Sequence, residues 1–156
     1  VAAGYDVIKE KVNLAKPEAK VTTPITSTIK ALNVLGINKI SIFTPYTKTI
    51  NDSVVNYFKK ENITINSLSY FDIDSDLDIG KVDENYLFEV LSKIDLEDSD
   101  ALFISCTALP VLSIIDKLEK KLNKVILSSN QTLIWDSLNE INYKEKIEGF
   151  GKLFNS

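Results

Sequence analysis

The 156-residue sequence contains no histidine, no arginine and no methionine, and it has a single cysteine. Without histidine, this chain has neither a Ser-His-Asp or Cys-His nucleophile nor a histidine-ligated zinc site. Without arginine, it cannot hold a carboxylate through the paired bonds of a guanidinium group. One cysteine excludes a disulfide within the chain and fits a reducing compartment, so we expect a cytoplasmic protein.

Charge and hydropathy exclude further classes of function. The formal net charge is −4, and the lysines form no basic block, which argues against a nucleic-acid partner. No apolar run approaches the roughly 18–20 residues of a membrane helix, so we expect no membrane partner. Only five glycines occur, and none forms a glycine-rich loop after a strand, which weakens a flavodoxin-like electron-transfer or signalling role.

Short apolar runs alternate with stretches of helical period along the chain. This alternation is typical of βαβ units, and it predicts a doubly wound α/β lobe with a mostly parallel sheet flanked by helices. The length suits one hydrophobic core. Strands are predicted at residues 19–21, 39–43, 63–70, 101–105 and 124–127.

Helix signals lie between the predicted strands. Val7, Ile8, Val12 and Leu14 form the apolar stripe of a first helix, which Pro17 ends. In the second helix Thr23 is the predicted N-cap, with Pro24 in the first position and Gly36 as the C-terminal cap. Its predicted buried stripe is Ile25, Ile29, Leu32 and Leu35. Later helices are predicted from the turn at residues 44–46 to about residue 60, at about 83–94 and at 111–122. A last helix is predicted after a cap at Ser129 or Asn130.

Hydroxyl, thiol and amide side chains follow three of the predicted strands. Ligands of open α/β sheets bind beyond the carboxyl ends of the strands, and helix N-termini placed there attract carboxylates. We therefore predict an anion-binding cleft at this edge of the sheet. The three groups are Thr44, Pro45 and Tyr46; Ser105, Cys106 and Thr107; and Ser128, Ser129 and Asn130.

Cys106 is the candidate catalytic residue. At the start of a helix a thiol is more readily ionised, and Ser105 and Thr107 could donate hydrogen bonds beside it. The alternative interpretation is a small buried hydrophobic residue at the end of a strand. Tyr46 could donate its phenol to a carboxylate, or it could pack against the turn after Pro45.

The acidic loop is interpreted as solvated rather than metal-binding. Asp74, Asp76 and Asp78 alternate as in a calcium loop, but the glycine and the distal glutamate are misplaced. No metal site is predicted. Trp135, Phe150 and Phe154 are interpreted as packing residues.

Several motifs together resemble a known enzyme family. DALFISCTALP at residues 100–110 and KVILSSNQTLIWDSL at 124–138 are similar to the maleate cis-trans isomerase and arylmalonate decarboxylase branch of the Asp/Glu racemase superfamily. The resemblance extends through VTTPITSTIKALNVLGINKISIFTPYTKTIN at 21–51 to EGFGKLF at 148–154. Within this branch the sequence looks most like the ectoine-utilisation proteins.

The resemblance implies a two-lobed, pseudosymmetric enzyme without a cofactor, in which two cysteines face the substrate from opposite lobes. Cys106 matches the second of these cysteines, and Tyr46 matches the tyrosine that hydrogen-bonds the substrate carboxylate. Asp76 stands where maleate isomerases have a substrate-binding asparagine, and a carboxylate there would repel a dianion. The other predicted substrate-binding residues are Thr44, Pro45, Ser105, Thr107 and Asn130.

The family's first cysteine lies in a Cys-Thr-Ser-Gly segment, whereas this chain opens on Val1-Ala2-Ala3-Gly4 without an initiator methionine. We therefore expect a longer polypeptide. Residues 1–20 would end a first lobe, 21–140 would form the second, and 141–156 would return as a tail to the first. With one thiol where the mechanism needs two, the chain alone is predicted to be inactive.

The expected activity is that of a cofactor-independent isomerase or racemase of a small carboxylic acid, with a role in ectoine utilisation implied by the branch resemblance. A homo-oligomer is the default for such a family. Two alternatives stay open: a decarboxylase of arylmalonate type, which needs only one cysteine as proton donor, and a module that binds a carboxylate without chemistry.

Overall fold

The sheet has four parallel strands in the order β2-β1-β3-β4. The computed structural model describes residues 4–143 and 145–156. The strands are β1 (Lys39–Thr44), β2 (Thr64–Tyr70), β3 (Ala101–Ile104) and β4 (Val125–Ser128). The predicted parallel α/β class is confirmed.

Seven α-helices connect and flank these strands in the described part of the chain. Two short 3-10 helices, Leu112–Ile114 and Lys152–Asn155, complete the regular structure. The helices are α1 (Tyr5–Ala15), α2 (Pro24–Leu35), α3 (Lys48–Lys60), α4 (Asp76–Ile79), α5 (Glu84–Leu91), α6 (Ile115–Leu122) and α7 (Ser129–Glu140). In residues 4–143 and 145–156, every helix is too short or too polar to cross a bilayer.

A separate apolar cluster covers each face of the sheet, because successive strand side chains point to opposite faces. On one face Phe43, Ile104 and Ile126 pack against residues of α5 and α6. On the other, Ile42 and Phe103 pack against residues of α2, α3 and α7. Helices on both faces confirm the doubly wound arrangement.

The predicted signals for α2 agree with the structure at both ends. Thr23 and Thr26 form a capping box, Pro24 is the first helical residue, and Gly36 ends the helix with a left-handed φ of 68°. The predicted stripe is only partly buried, because Leu32 is in the core whereas Ile25, Ile29 and Leu35 are half-buried.

Polar residues of α2 instead face α7. Ser27 Oγ donates to the buried Asp136 carboxylate at 2.8 Å, and Lys30 Nζ bonds the same carboxylate at 2.8 Å. Next to this pair, the hydroxyls of Thr28 and Thr132 are 3.0 Å apart. These buried hydrogen bonds therefore join α2 to α7 beside the apolar cluster that Leu32 and Trp135 share.

The C-terminal segment is fastened to α6 and α7 by two polar side chains. The buried Glu119 carboxylate accepts the backbone N–H groups of Ile126 at 3.1 Å and Lys152 at 2.9 Å. Gln131 donates through Nε2 to the Phe150 carbonyl at 2.6 Å. Gly151 lies between these contacts with a φ of 88°.

Two sequence expectations are corrected. Residues 19–21 form no strand, and the Ala19 N–H closes a turn on the Lys16 carbonyl at 3.0 Å. The cap of α7 is Ser128 rather than Ser129 or Asn130, because β4 runs directly into the helix. The predicted apolar stripe of α1 is exposed, and Leu14 retains 80% of its accessible surface.

The predicted lobe boundaries stay predictions. Residues 1–3, with which the expected end of a first lobe begins, lie outside the described residues. Residue 144 of the expected tail lies outside them as well.

Candidate active site

The turn after β1 holds Tyr46 by its backbone. Thr44 is fully buried, and its Oγ1 donates to Asn51 Oδ1 of α3 while accepting the Tyr46 N–H at 3.2 Å. The Pro45 carbonyl accepts the Ile73 N–H at 2.8 Å. The structure thus turns the hydroxyl of Thr44, a predicted substrate contact, towards protein groups, and Tyr46 is the side chain of this turn that reaches the cavity described below.

The loop after β3 does not begin a helix at Cys106, contrary to the sequence expectation. Residues 105–111 form an irregular loop in which the Val111 N–H closes a turn on the Leu109 carbonyl, and α6 begins only at Ile115. A single backbone donor reaches the thiol instead: the Ala108 N–H points to Cys106 Sγ at 3.3 Å. The thiol side chain is 3% exposed.

The phenol of Tyr46 packs against the apolar cluster that contains Cys106. Burial, reinforced by the neighbouring Cys106 and by the charge of Asp76, raises the pKa of Tyr46 far above its ordinary value, and a hydrogen bond with Ser105 opposes the shift only in part. The phenol therefore stays protonated through the neutral range and acts as a hydrogen-bond donor. This pairing is the chemical core of the candidate site.

The third predicted group, Ser128, Ser129 and Asn130, connects the loop after β3 to the start of α7. Asn130 Nδ2 donates to the Thr107 carbonyl at 3.0 Å, so this predicted substrate ligand joins the loop after β3 to α7. Ser128 caps α7 by accepting the Gln131 N–H at 3.2 Å. Ser129 lines the adjoining cavity.

A cavity of about 580 Å³ opens between the carboxyl ends of β1, β3 and β4 and the helices α1, α2 and α3. Four hydroxyl-bearing residues at the strand ends form its polar floor: Tyr46, Ser105, Thr107 and Ser129. Its walls are largely apolar and include Ile8, Ile50, Val54, Tyr57 and Phe103. Cys106 packs instead into the apolar cluster on the opposite face of the sheet, where Tyr46 also makes contact.

Asp76 lies near this site as the first residue of α4, which Ser75 caps. Its negative charge contributes to the raised pKa of Tyr46. Asp78 points elsewhere and pairs with Lys81 at 2.8 Å on the surface. Within residues 4–143 and 145–156, no three acidic or cysteine side chains come together as a metal site.

Sequence reasoning missed Asn51 and Gln131. Asn51 is fully buried and holds both Thr44 and Tyr46. An amide on the same helical face as Val54 and Phe58 is the signal that could have identified it, because a polar residue in a buried stripe requires partners.

The fold and the residues at its strand ends define an α/β chain with a thiol, a phenol and several hydroxyls at the ligand-binding edge of a parallel sheet. The chain belongs to the arylmalonate decarboxylase family, whose model matches residues 7–154.

Curated relatives include enzymes of two named activities. The chain is 26% identical over 138 residues to a maleate isomerase of Geobacillus stearothermophilus, which covers 88% of this chain and 55% of the relative. It is 24% identical over 137 residues to an arylmalonate decarboxylase of Bordetella bronchiseptica, covering 86% and 57% of the two chains. The chain therefore spans little more than half the length of these relatives.

Solved structures show the same fold. A Nocardia farcinica maleate cis-trans isomerase mutant with a covalently bound succinylcysteine intermediate superposes with a TM-score of 0.88 at 19% identity, covering 96% of this chain and 61% of that one. A crystal structure of arylmalonate decarboxylase superposes with a TM-score of 0.75 at 24% identity, covering 85% and 59%.

Proposed function

We propose that this chain carries the proton-transferring thiol of a cofactor-independent isomerase or racemase that acts on a small carboxylic acid. The observation that carries the proposal is that Tyr46 lines the cavity and also packs against the apolar cluster that contains the single thiol, Cys106. The maleate isomerases among the relatives support the reaction class.

In this proposal the substrate binds against Tyr46, whose phenol donates a hydrogen bond to the substrate carboxylate. Cys106, which is buried behind Tyr46 in this structure, turns towards the neighbouring carbon to exchange a proton with it. A nucleophile that the rest of the longer protein supplies adds to one carbon of the substrate double bond, and the electron pair of that bond takes the proton of the Cys106 thiol at the other carbon. After rotation about the resulting single bond, the Cys106 thiolate removes a proton from that carbon, the nucleophile leaves, and the double bond re-forms in the other geometry. No net oxidation occurs. The succinylcysteine of the Nocardia farcinica enzyme is a precedent for such a covalent species.

The charge of Asp76 bears on the substrate. A carboxylate in this place disfavours a second negative charge on the bound molecule, since like charges at short range repel. We therefore propose a substrate with less charge on the Asp76 side than maleate. A role in ectoine utilisation, a cytoplasmic location and a homo-oligomer stay predictions.

The lobe assignment is part of the proposal: residues 21–140 form the lobe that carries Cys106, residues 1–20 end a further lobe, and residues 141–156, which contact α6 and α7 through Phe150 and Lys152, are a tail that returns to that further lobe. It is supported by the 55% coverage of the maleate isomerase relative. The test is to express the chain with and without the upstream sequence of its gene and to assay isomerisation of small unsaturated acids. Activity is expected only in the longer protein, and full turnover by the 156 residues would refute this part.

Cys106→Ala tests the thiol itself in the longer protein. Turnover should fall to background while the thermal unfolding midpoint stays near that of the parent, because a small apolar residue replaces a thiol packed in an apolar cluster. An unchanged kcat removes Cys106 from the mechanism.

A decarboxylase is the second candidate, favoured by the apolar wall of the cavity and by the arylmalonate decarboxylase relative. There Cys106 would protonate the enediolate left after loss of carbon dioxide. Measuring carbon dioxide release beside loss of optical rotation separates the two activities. A module that only binds carboxylates is the third candidate, and a Cys106 that alkylates no faster than free cysteine would favour it.

A further inference from the structure

The side chain of Asn51 is fully buried in the first half of α3. It shares the inward face of this helix with Val54 and Phe58, both apolar. Burying an amide costs free energy unless its oxygen and nitrogen are both hydrogen-bonded. The position therefore requires specific partners.

Those partners are the strand end and the turn that carries Tyr46. Asn51 Oδ1 accepts a hydrogen bond from Thr44 Oγ1, and Asn51 Nδ2 donates to the Tyr46 carbonyl at 3.0 Å. The Tyr46 N–H donates to the same Thr44 hydroxyl at 3.2 Å. Two side chains, those of Thr44 and Asn51, thus form a closed ring of hydrogen bonds with the backbone N–H and carbonyl of Tyr46.

The rest of the turn is held by backbone bonds. The Thr44 carbonyl accepts the Phe71 N–H at 3.1 Å, and the Pro45 carbonyl accepts the Ile73 N–H at 2.8 Å. The Tyr46 carbonyl differs from both because its partner is a side chain. A single substitution can therefore release Tyr46 while β1 and β2 stay paired.

We propose that Asn51 is a positioning residue that fixes the backbone of Tyr46 so that its phenol faces Cys106. The inference rests on the proposed function, in which this phenol and this thiol act together. Asn51 does not line the cavity, so its effect passes through Tyr46 and not through a bound molecule.

The test measures the rate at which iodoacetamide alkylates Cys106 as a function of pH. Cys106 is the only cysteine of the sequence, so alkylation reports on one sulfur. The variants are Asn51→Leu, which keeps the branched side-chain skeleton and removes both hydrogen bonds, and Tyr46→Phe, which removes the phenol hydroxyl. Phe58→Leu is the matched control, because it weakens packing on the same helical face without touching the turn.

The pH profile of Asn51→Leu should depart from the parent and approach that of Tyr46→Phe, with rates altered about threefold to tenfold, the equivalent of about one hydrogen bond. Phe58→Leu should keep the parent profile at equal or greater loss of stability. If the alkylation profile of Asn51→Leu is the same as that of Phe58→Leu while the profile of Tyr46→Phe differs from that of the parent, the inference is overturned and the proposed function stands. If Tyr46→Phe also matches the parent, the proposed pairing itself fails.

A second pair of variants keeps the test decisive should Asn51→Leu not fold. Thr44→Val removes the hydroxyl that bridges Asn51 and Tyr46, and Thr44→Ser retains it. The valine variant should show the Tyr46→Phe profile and the serine variant should restore the parent profile. Identical profiles for the two overturn the inference.

Discussion

Ser105 and Cys106 are neighbours in sequence, yet their side chains point to opposite faces of the sheet. Ser105 lines the cavity between α2 and α3, whereas Cys106 packs with Ile104 and Leu109 on the side of α5 and α6. The alternation of β3 continues past its last paired residue and produces this division. Tyr46 lines the cavity and also packs against the cluster that contains Cys106, so its side chain lies between a molecule bound in the cavity and the thiol.

The first prediction concerns this link. Tyr46→Phe in the longer protein should lower kcat about 10²–10³-fold, the cost of removing one preorganised donor to a developing oxyanion. Steady-state kinetics against the substrate found for the parent measure the effect. Tyr86→Phe is the control, since Tyr86 stacks on Phe71 and is 58% exposed, and it should keep parent activity. Equal kinetics for both variants would contradict the role of Tyr46.

Gly151 should tolerate no side chain. A Cβ there would lie 2.7 Å from Ile115 Cγ2 and 3.0 Å from Gln131 Nε2, at a φ of 88°. Gly151→Ala should therefore lower the free energy of unfolding by about 2–4 kcal/mol, combining backbone strain with overpacking. Urea titration measures the loss.

Gly149→Ala separates the two causes. Gly149 has a φ of 87°, but a Cβ there meets nothing within 4 Å. This variant should lose only about 1 kcal/mol from the left-handed backbone. Equal losses at Gly149 and Gly151 would show that the contact with Ile115 is unimportant.

Glu119 should make stability depend on pH. Burial raises the pKa of its carboxyl above the ordinary 4.5, although the N–H groups of Ile126 and Lys152 oppose the shift. The folded chain then retains a proton at pH values where the unfolded chain has lost it. Because the unfolded state binds fewer protons there, the contribution of Glu119 is fully present below pH 4.5 and decreases as pH rises through the raised pKa.

Glu119→Gln is the test, since glutamine does not ionise. Its one side-chain oxygen can accept only one of the two N–H groups that the carboxylate oxygens accept separately, and this loss does not vary with pH. Urea unfolding at a series of pH values should show that the difference between parent and variant moves in favour of the variant as pH rises. Glu148→Gln, at an exposed position, should follow the parent. A difference that moves the other way would mean that the hydrogen bonds outweigh burial.

In the polar contact between α2 and α7, the buried Asp136 should contribute more to the free energy of unfolding than the half-exposed Lys30. Asp136→Ala leaves the Ser27 hydroxyl without its acceptor and should cost about 2 kcal/mol. Lys30→Ala removes a side chain that is 46% exposed but leaves the buried Asp136 carboxylate without its cation, and because water can partly replace the ammonium it should cost about 1 kcal/mol. Thermal or urea unfolding compares them, and a larger loss for Lys30→Ala would contradict the assignment.

The sequence was informative where local chemistry determines the structure. The β-branched run of β1, the Thr23 cap and Gly36 each carry their signal within a few residues, and the structure confirms them. The parallel sheet followed from the alternation of strand and helix patterns alone. The family motifs singled out Tyr46 and Cys106 as site residues, each with its own role, and Tyr46 packs against the apolar cluster that contains Cys106.

The features that the sequence did not predict depend on contacts between segments that are far apart in the chain or in different elements. The stripe of α1 is amphipathic, but a pattern does not say what a helix packs against, and no residue of α1 is buried. A helix was expected directly after Cys106 because polar residues there resemble a cap, whereas the chain first makes a loop. Asn51 was missed because its partners come from the strand before it and from a turn, and local propensity does not report such contacts.

The exposed stripe of α1 has a consequence for dynamics. Tyr5 and Ile8 of this helix form part of the cavity wall, yet the helix is held mainly by polar contacts such as Tyr5 Oη to the Val21 carbonyl at 3.1 Å. Amide hydrogens of α1 should therefore exchange with solvent deuterium well before those of β1 or β3, through local opening that leaves the sheet intact. Each such opening uncovers one side of the cavity, so ligand entry requires no unfolding of the core.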